Sequence, residues 1–194
     1  MKCRIRVTRL LQWLSLIAFV TPGFAGQARA PRDSEEARDL KTFTDRVQAY
    51  VKMQKDLEAS LPALKTTNDA AQIVERQHAL ARKIADARRN ARQGDIFTHE
   101  VTERFRKILR SQFHGPEGRL ARRTIQPDPP SKVIVLRVND VFPEGIPLTT
   151  TPPTLLSKLP ELPQELAYRI VGRDLTLMDT KAGLIVDLIP KAIP

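Results

Sequence analysis

Proline placement sets the first limit on this chain. Between residues 32 and 115 the only proline is Pro62, whereas Pro127, Pro129, Pro130, Pro143, Pro147, Pro152, Pro153, Pro160 and Pro163 crowd the stretch from 127 to 163. Proline removes a backbone donor and clashes with the preceding helical turn, so long helices are open to the first stretch and closed to the second. The organisation that follows is an α+β class. A helical region spans 31–126, a strand and Pro-rich crossover 127–166, and a three-stranded antiparallel β-meander 167–194.

Residues 1–28 have a different character. Lys2, Arg4, Arg6 and Arg9 precede "LLQWLSLIAFV" (10–20), an apolar run of 11, and small residues follow it in "TPGFAGQARA". This is the layout of a secretory signal peptide, with cleavage expected near residues 25–30. The apolar run is short of the about 20 residues a membrane span needs. Cys3 is the only cysteine and falls within this segment. The expected mature chain therefore has no disulfide, thiolate metal site or cysteine nucleophile, no transmembrane segment, and only its core to hold it together. Beyond residue 30 the chain carries 27 basic and 22 acidic residues, a net charge of +5 rather than the +10 of the whole sequence. The excess is confined to 31–126.

Three helices are expected. Leu40, Phe43, Val47, Tyr50 and Leu57 form one stripe over 34–60, with Ser34 as the cap and Pro62 setting the end. Ile73, Gln77, Leu80, Ile84, Ala87 and Ala91 line a second helix over 66–95, capped by Thr67 or Asn68 and stopped by Gly94. The two stripes predict an antiparallel helical hairpin. Thr98 caps a third helix within 95–118, with Val101, Phe105, Ile108 and Leu109 on its buried face. Beyond Gln126, the β-branched run "KVIVLRV" (132–138) predicts a strand, and Thr154–Lys158 one helical turn. "YRIVGRDLTLMDTKAGLIVDLI" (168–189) ends the chain as strands over roughly 167–171, 174–179 and 184–189. Strict alternation puts Leu184, Val186 and Leu188 on one face and Asp187 on the other.

No set of residues forms a recognisable catalytic motif. The glycines fall at turns, no serine sits in a nucleophile pattern, and no cofactor is expected. His78, His99 and His114 lie on separate segments; His99 with Glu103, four apart on one helical face, is the one pair to consider for a metal. Asp174 and Asp179 fit turn positions, where a carboxylate accepts nearby backbone N–H groups. "QGDIFT" (93–98) reads as a helix end followed directly by a helix start. Arg82, Arg88, Arg89, Arg92, Arg104, Lys107 and Arg110 offer basic faces to an anionic surface. Aromatics are not interleaved with them, so no nucleic acid is expected as a partner.

The Pro-Leu segment, the Tyr168 strand, the strand ending at Asp179 and the aliphatic strand with Val186-Asp187 resemble the C-terminal hairpin module of periplasmic nickel/cobalt-homeostasis proteins and related families of unknown function. The likeness covers about 40 residues. The whole chain, through "RQHALARKIADARRNARQGDIFT" and "YRIVGRDL", is similar to uncharacterised secreted bacterial proteins. The resemblance implies an exported, periplasmic or secreted protein built around a small β module. The expected role is non-catalytic, binding an unknown protein or an anionic envelope component. The alternatives are a periplasmic metal-responsive protein and a hydrolase with an unrecognised site.

Overall fold

The computed structural model describes residues 30–63, 69–115, 118–119, 135–143, 151 and 153–193. The signal layout of 1–28, the expected caps Thr67 and Asn68, and the first part of "KVIVLRV" lie outside them. The architecture is α+β. Helices α1 (Ala30–Ala59), α2 (Ala70–Ala87) and α3 (His99–Gln112) precede the short α4 (Pro153–Leu156), and strands β1 (Leu166–Val171), β2 (Asp174–Asp179) and β3 (Leu184–Ile189) follow. The strands form one antiparallel sheet in the order β1-β2-β3.

α1 starts four residues earlier than Ser34, because Pro31 falls in the first turn, where the missing N–H costs nothing. Phe43, Val47, Tyr50 and Val51 are buried along one face. α2 runs antiparallel to α1. Arg76 donates to the Pro62 carbonyl at one end of the pair, and Arg46 donates to the Asp95 carbonyl at the other. Its cap is Asp69, whose side chain accepts from Ala71 N at 2.9 Å. The helix stops at Ala87, well short of 95, and buries only Leu80, Ala81 and Ile84. Ile73, expected on the buried stripe, is 48% exposed. The first turns of α2 carry the stripe beyond the body that the rest of it packs against. α3 behaves as its sequence predicts, with Thr98 accepting from Val101 N and Val101, Phe105 and Leu109 buried. Phe43, Phe97 and Phe105 meet with ring centroids 5.3–5.7 Å apart, and Tyr168 of β1 joins them at 6.0 Å from Phe105.

The sheet departs from simple alternation at one place. Met178 pairs with Ile185 but Leu177 pairs with Asp187, leaving Val186 as an extra residue. This β-bulge reverses the parity of the second half of β3. Leu184, Val186 and Ile189 join the core shared with the helices, while Ile185 and Leu188 form a smaller cluster with Phe142. Asp187 is thereby turned towards the helices, with no exposure at all. Alternation had placed it opposite Leu184 and Val186, and the bulge overturns that expectation.

Asp187 is fully engaged there. Its carboxylate accepts from Gly94 N at 3.0 Å, Ile96 N and Phe97 N at 2.8 Å, and its neighbour Leu188 N at 2.8 Å. "QGDIFT" therefore does more than join two helices: it wraps its amides around a carboxylate of β3. Gly94, at φ 94°, takes a conformation that costs side-chain-bearing residues energy, which is how the loop turns its N–H inward.

The described part of "KVIVLRV", residues 135–138, is not a strand. Leu136 and Val138 cover the Ile185–Leu188 cluster, and pairing is confined to the following residues. Asn139 N donates to Ile185 O, Ile185 N to Asp140 O, and Phe142 N to Gly183 O, at 2.7–2.9 Å. Asn139 sits at φ 70°, a left-handed conformation that ends any extended run. The result is a short strap on the outer edge of β3 that satisfies its backbone. The expected single turn near 154–158 is present as α4.

Replacing Asp187 by Ala strands the loop amides inside the fold. Urea denaturation is expected to show a loss of about 3–5 kcal/mol, with Asp187→Asn intermediate because one acceptor oxygen survives.

Candidate functional site

Two of the places among the described residues that concentrate polar chemistry or open apolar surface are candidate sites. The first is a buried polar cluster between α1, the end of α2 and the sheet. Tyr50 OH donates to Asp179 Oδ2 at 2.8 Å, and Asp179 Oδ1 accepts from Lys181 N and Ala182 N at 2.8 and 2.7 Å. That is the turn role expected for Asp179, with a helix hydroxyl added. The Arg88 guanidinium lies over the Tyr50 ring, 5.1 Å from its centroid. It also donates to Asn139 Oδ1 and Val186 O, each at 3.1 Å, and Asn139 Nδ2 returns a bond to Arg88 O at 2.8 Å.

Burial sets the proton affinities in this cluster. It raises the Asp179 carboxyl above the usual carboxylate range, against the hydrogen bonds that favour the anion. Burial, then the Asp179 charge, drives the Tyr50 phenol far above its ordinary value. Burial lowers Arg88, partly offset by Tyr50 and Asp187. Each of these groups has a partner inside the fold, and the cluster ties three elements together.

A different case is Gln54. It is fully buried on α1, one helical turn from Tyr50 and one from Glu58, and among the described residues neither amide atom has a hydrogen-bond partner.

The second place is an open, largely apolar groove of about 500 Å³ between the α4–β1 connection and β1. Leu159, Leu162, Leu166 and Tyr168 line it, Leu156 stands at its side 42% exposed, and Glu161 and Arg169 add charge. The Pro-Leu stretch lies on the sheet as its leucine content predicts. Tyr168 OH donates to Pro160 O at 3.1 Å, Leu166 N to Pro163 O at 3.0 Å, and Thr151 Oγ1 to Tyr168 O at 3.1 Å. Burial raises the Tyr168 phenol well above its ordinary value. These bonds hold a wall made of extended, proline-containing chain, which is already restricted before anything binds.

The residues singled out for an anionic partner fall into two groups. Arg88 points inward, as described. Arg104 is turned to α1, where it meets Glu36 at 2.8 Å and Asp39 at 2.9 Å. Both guanidiniums are committed within the fold. Arg82, Arg89, Arg92, Lys107 and Arg110 are exposed. Arg88, Arg89 and Arg92 follow α2 rather than forming its last turns, so they do not make one helical face with Arg82. His99 and Glu103 are both exposed, but Glu103 pairs with Arg106 at 2.9 Å. Among the described residues no three His, Cys, Asp or Glu side chains converge as a metal site. Asp174 follows the β1–β2 turn, but its carboxylate accepts from Lys191 N at 2.8 Å, 17 residues away, rather than from a nearby turn amide.

Sequence reasoning missed the Tyr50–Asp179 bond, the Arg88–Asn139 exchange and the aim of Asp187. The partners are separated by 129, 51 and about 90 residues, and no local pattern encodes such pairs. No family model, curated protein or solved structure matches this chain.

Two measurements follow from this geometry. A carboxyl whose pKa is raised on folding keeps its proton longer in the native state, so stability is highest below the unfolded value of about 4 and falls as pH rises through the folded value. Asp179→Asn removes that fall. Its stability relative to wild type is expected to improve from pH 3 upward, read by denaturation at a series of pH values. Gln54→Leu removes an unpartnered buried amide and is expected to raise stability by about 1 kcal/mol in the same assay.

Proposed function

We propose that this chain is an exported binding protein without catalytic activity of its own, and that a protein of the cell envelope docks in the groove beside β1. The N-terminal signal layout supports export, and among the described residues no helix is long and apolar enough to cross a membrane. The observation that carries the binding reading is the groove itself. It is concave and mostly apolar, with a few polar groups at defined positions, as expected of a recognition surface. Its leucines gain from losing water, and its wall is stiffened by Pro160 and Pro163, so little ordering is left to oppose association.

A photo-crosslinking side chain placed at Leu156 tests this in the native envelope. A discrete protein adduct is expected, and it should disappear when Leu162→Glu charges the groove. A probe at the exposed Lys52 of α1 is the control. Adducts no different from that control, or unaffected by Leu162→Glu, would reject the groove as the docking surface.

A further inference from the structure

The first turns of α2 leave Ile73 and Val74 in water, 48% and 41% exposed. Val74, Glu75, His78 and Arg82 share one stripe of the helix and line a shallow open depression. Glu75 has an alanine four residues on, and among the described residues neither Glu75 nor Arg82 forms an ion pair. We propose that this stripe is a self-docking face and that its occupant is α2 of a second copy, packed antiparallel about a twofold axis near His78.

The charge pattern argues for a second copy. Glu75 and Arg82 are seven residues apart, about 10.5 Å along the axis. A twofold axis midway between them puts Glu75 opposite the partner's Arg82 and Arg82 opposite the partner's Glu75. The same operation sets Asp86 against Ala71, and Lys83 lies round the helix from this stripe, so no like charges face each other. A twofold interface must be self-complementary, and this stripe satisfies that condition with both signs of charge. The face is short, and it buries less than the about 800 Å² per partner of a standard stable interface. The dimer is therefore weak, and it lies apart from the groove beside β1.

Analytical ultracentrifugation of the mature chain over a concentration series is the test. A concentration-dependent monomer–dimer equilibrium is expected. Glu75→Arg alone, or Arg82→Glu alone, should weaken it about tenfold, because each replaces two attractive contacts by two repulsive ones. The double variant Glu75→Arg with Arg82→Glu should restore it to near the wild-type value. These sites are exposed, so circular dichroism should show the fold unchanged in all three variants. A monomer at every concentration, a dimer indifferent to the single charge reversals, or a double variant no better than the singles would each overturn the proposal.

Discussion

The carboxylate of Asp187 is the point on which the rest of the structure depends. Four backbone N–H groups converge on it, three of them from the loop between α2 and α3. Those amides have no place in a helix or a sheet, and burying them without an acceptor would cost several kcal/mol. With the acceptor in place, Ile96 and Phe97 are carried into the core, and Phe97 completes the ring cluster with Phe43 and Phe105. Docking of α3, the early stop of α2 and the inward turn of Arg88 all follow from where that loop is held. The charge is tolerable in the interior because its lone pairs are used by fixed donors and Arg88 lies near it.

A three-stranded sheet is near the lower limit for stability and must cover its faces. Here the two faces are covered unequally. The helices and aromatic rings bury one, and a non-strand segment, Leu136 to Phe142, buries part of the other while satisfying the edge of β3. At β1 the Pro-Leu connection lies against the sheet but leaves the groove. The protein is closed by polar contacts at its centre and by the strap at β3, and it presents apolar surface beside β1 and on the first turns of α2. The surfaces proposed to bind are thus the ones not used in closing the fold.

Much of the architecture is legible from residue order. The stripe of α1, the Thr98 cap of α3, the turn of helix at α4 and all three strands of the meander are local features, written in spacing and turn residues. The boundaries that failed have tertiary causes. α2 keeps a helical pattern to residue 91, yet the chain leaves the helix at Arg88, whose side chain and carbonyl are both bonded to Asn139. "KVIVLRV" has the composition of a strand, but in its described part, residues 135–138, no strand forms, and pairing begins at Asn139, where the backbone turns left-handed. The groove was only half legible. Leucines among prolines predicted a segment lying on a surface, but not the opening left beneath it.

The sequence by itself determined the α+β order, the helical first part, the proline-restricted crossover and the turn role of Asp179, since each depends on neighbours within a few residues. Only the tertiary structure decided the orientation of Asp187, because one extra residue in β3 reverses which face every later side chain meets, and strict alternation carries no sign of it. It likewise decided which arginines remain available to solvent. Arg88 and Arg104 read as surface charge in the sequence, and acceptors contributed by distant segments draw them into the fold.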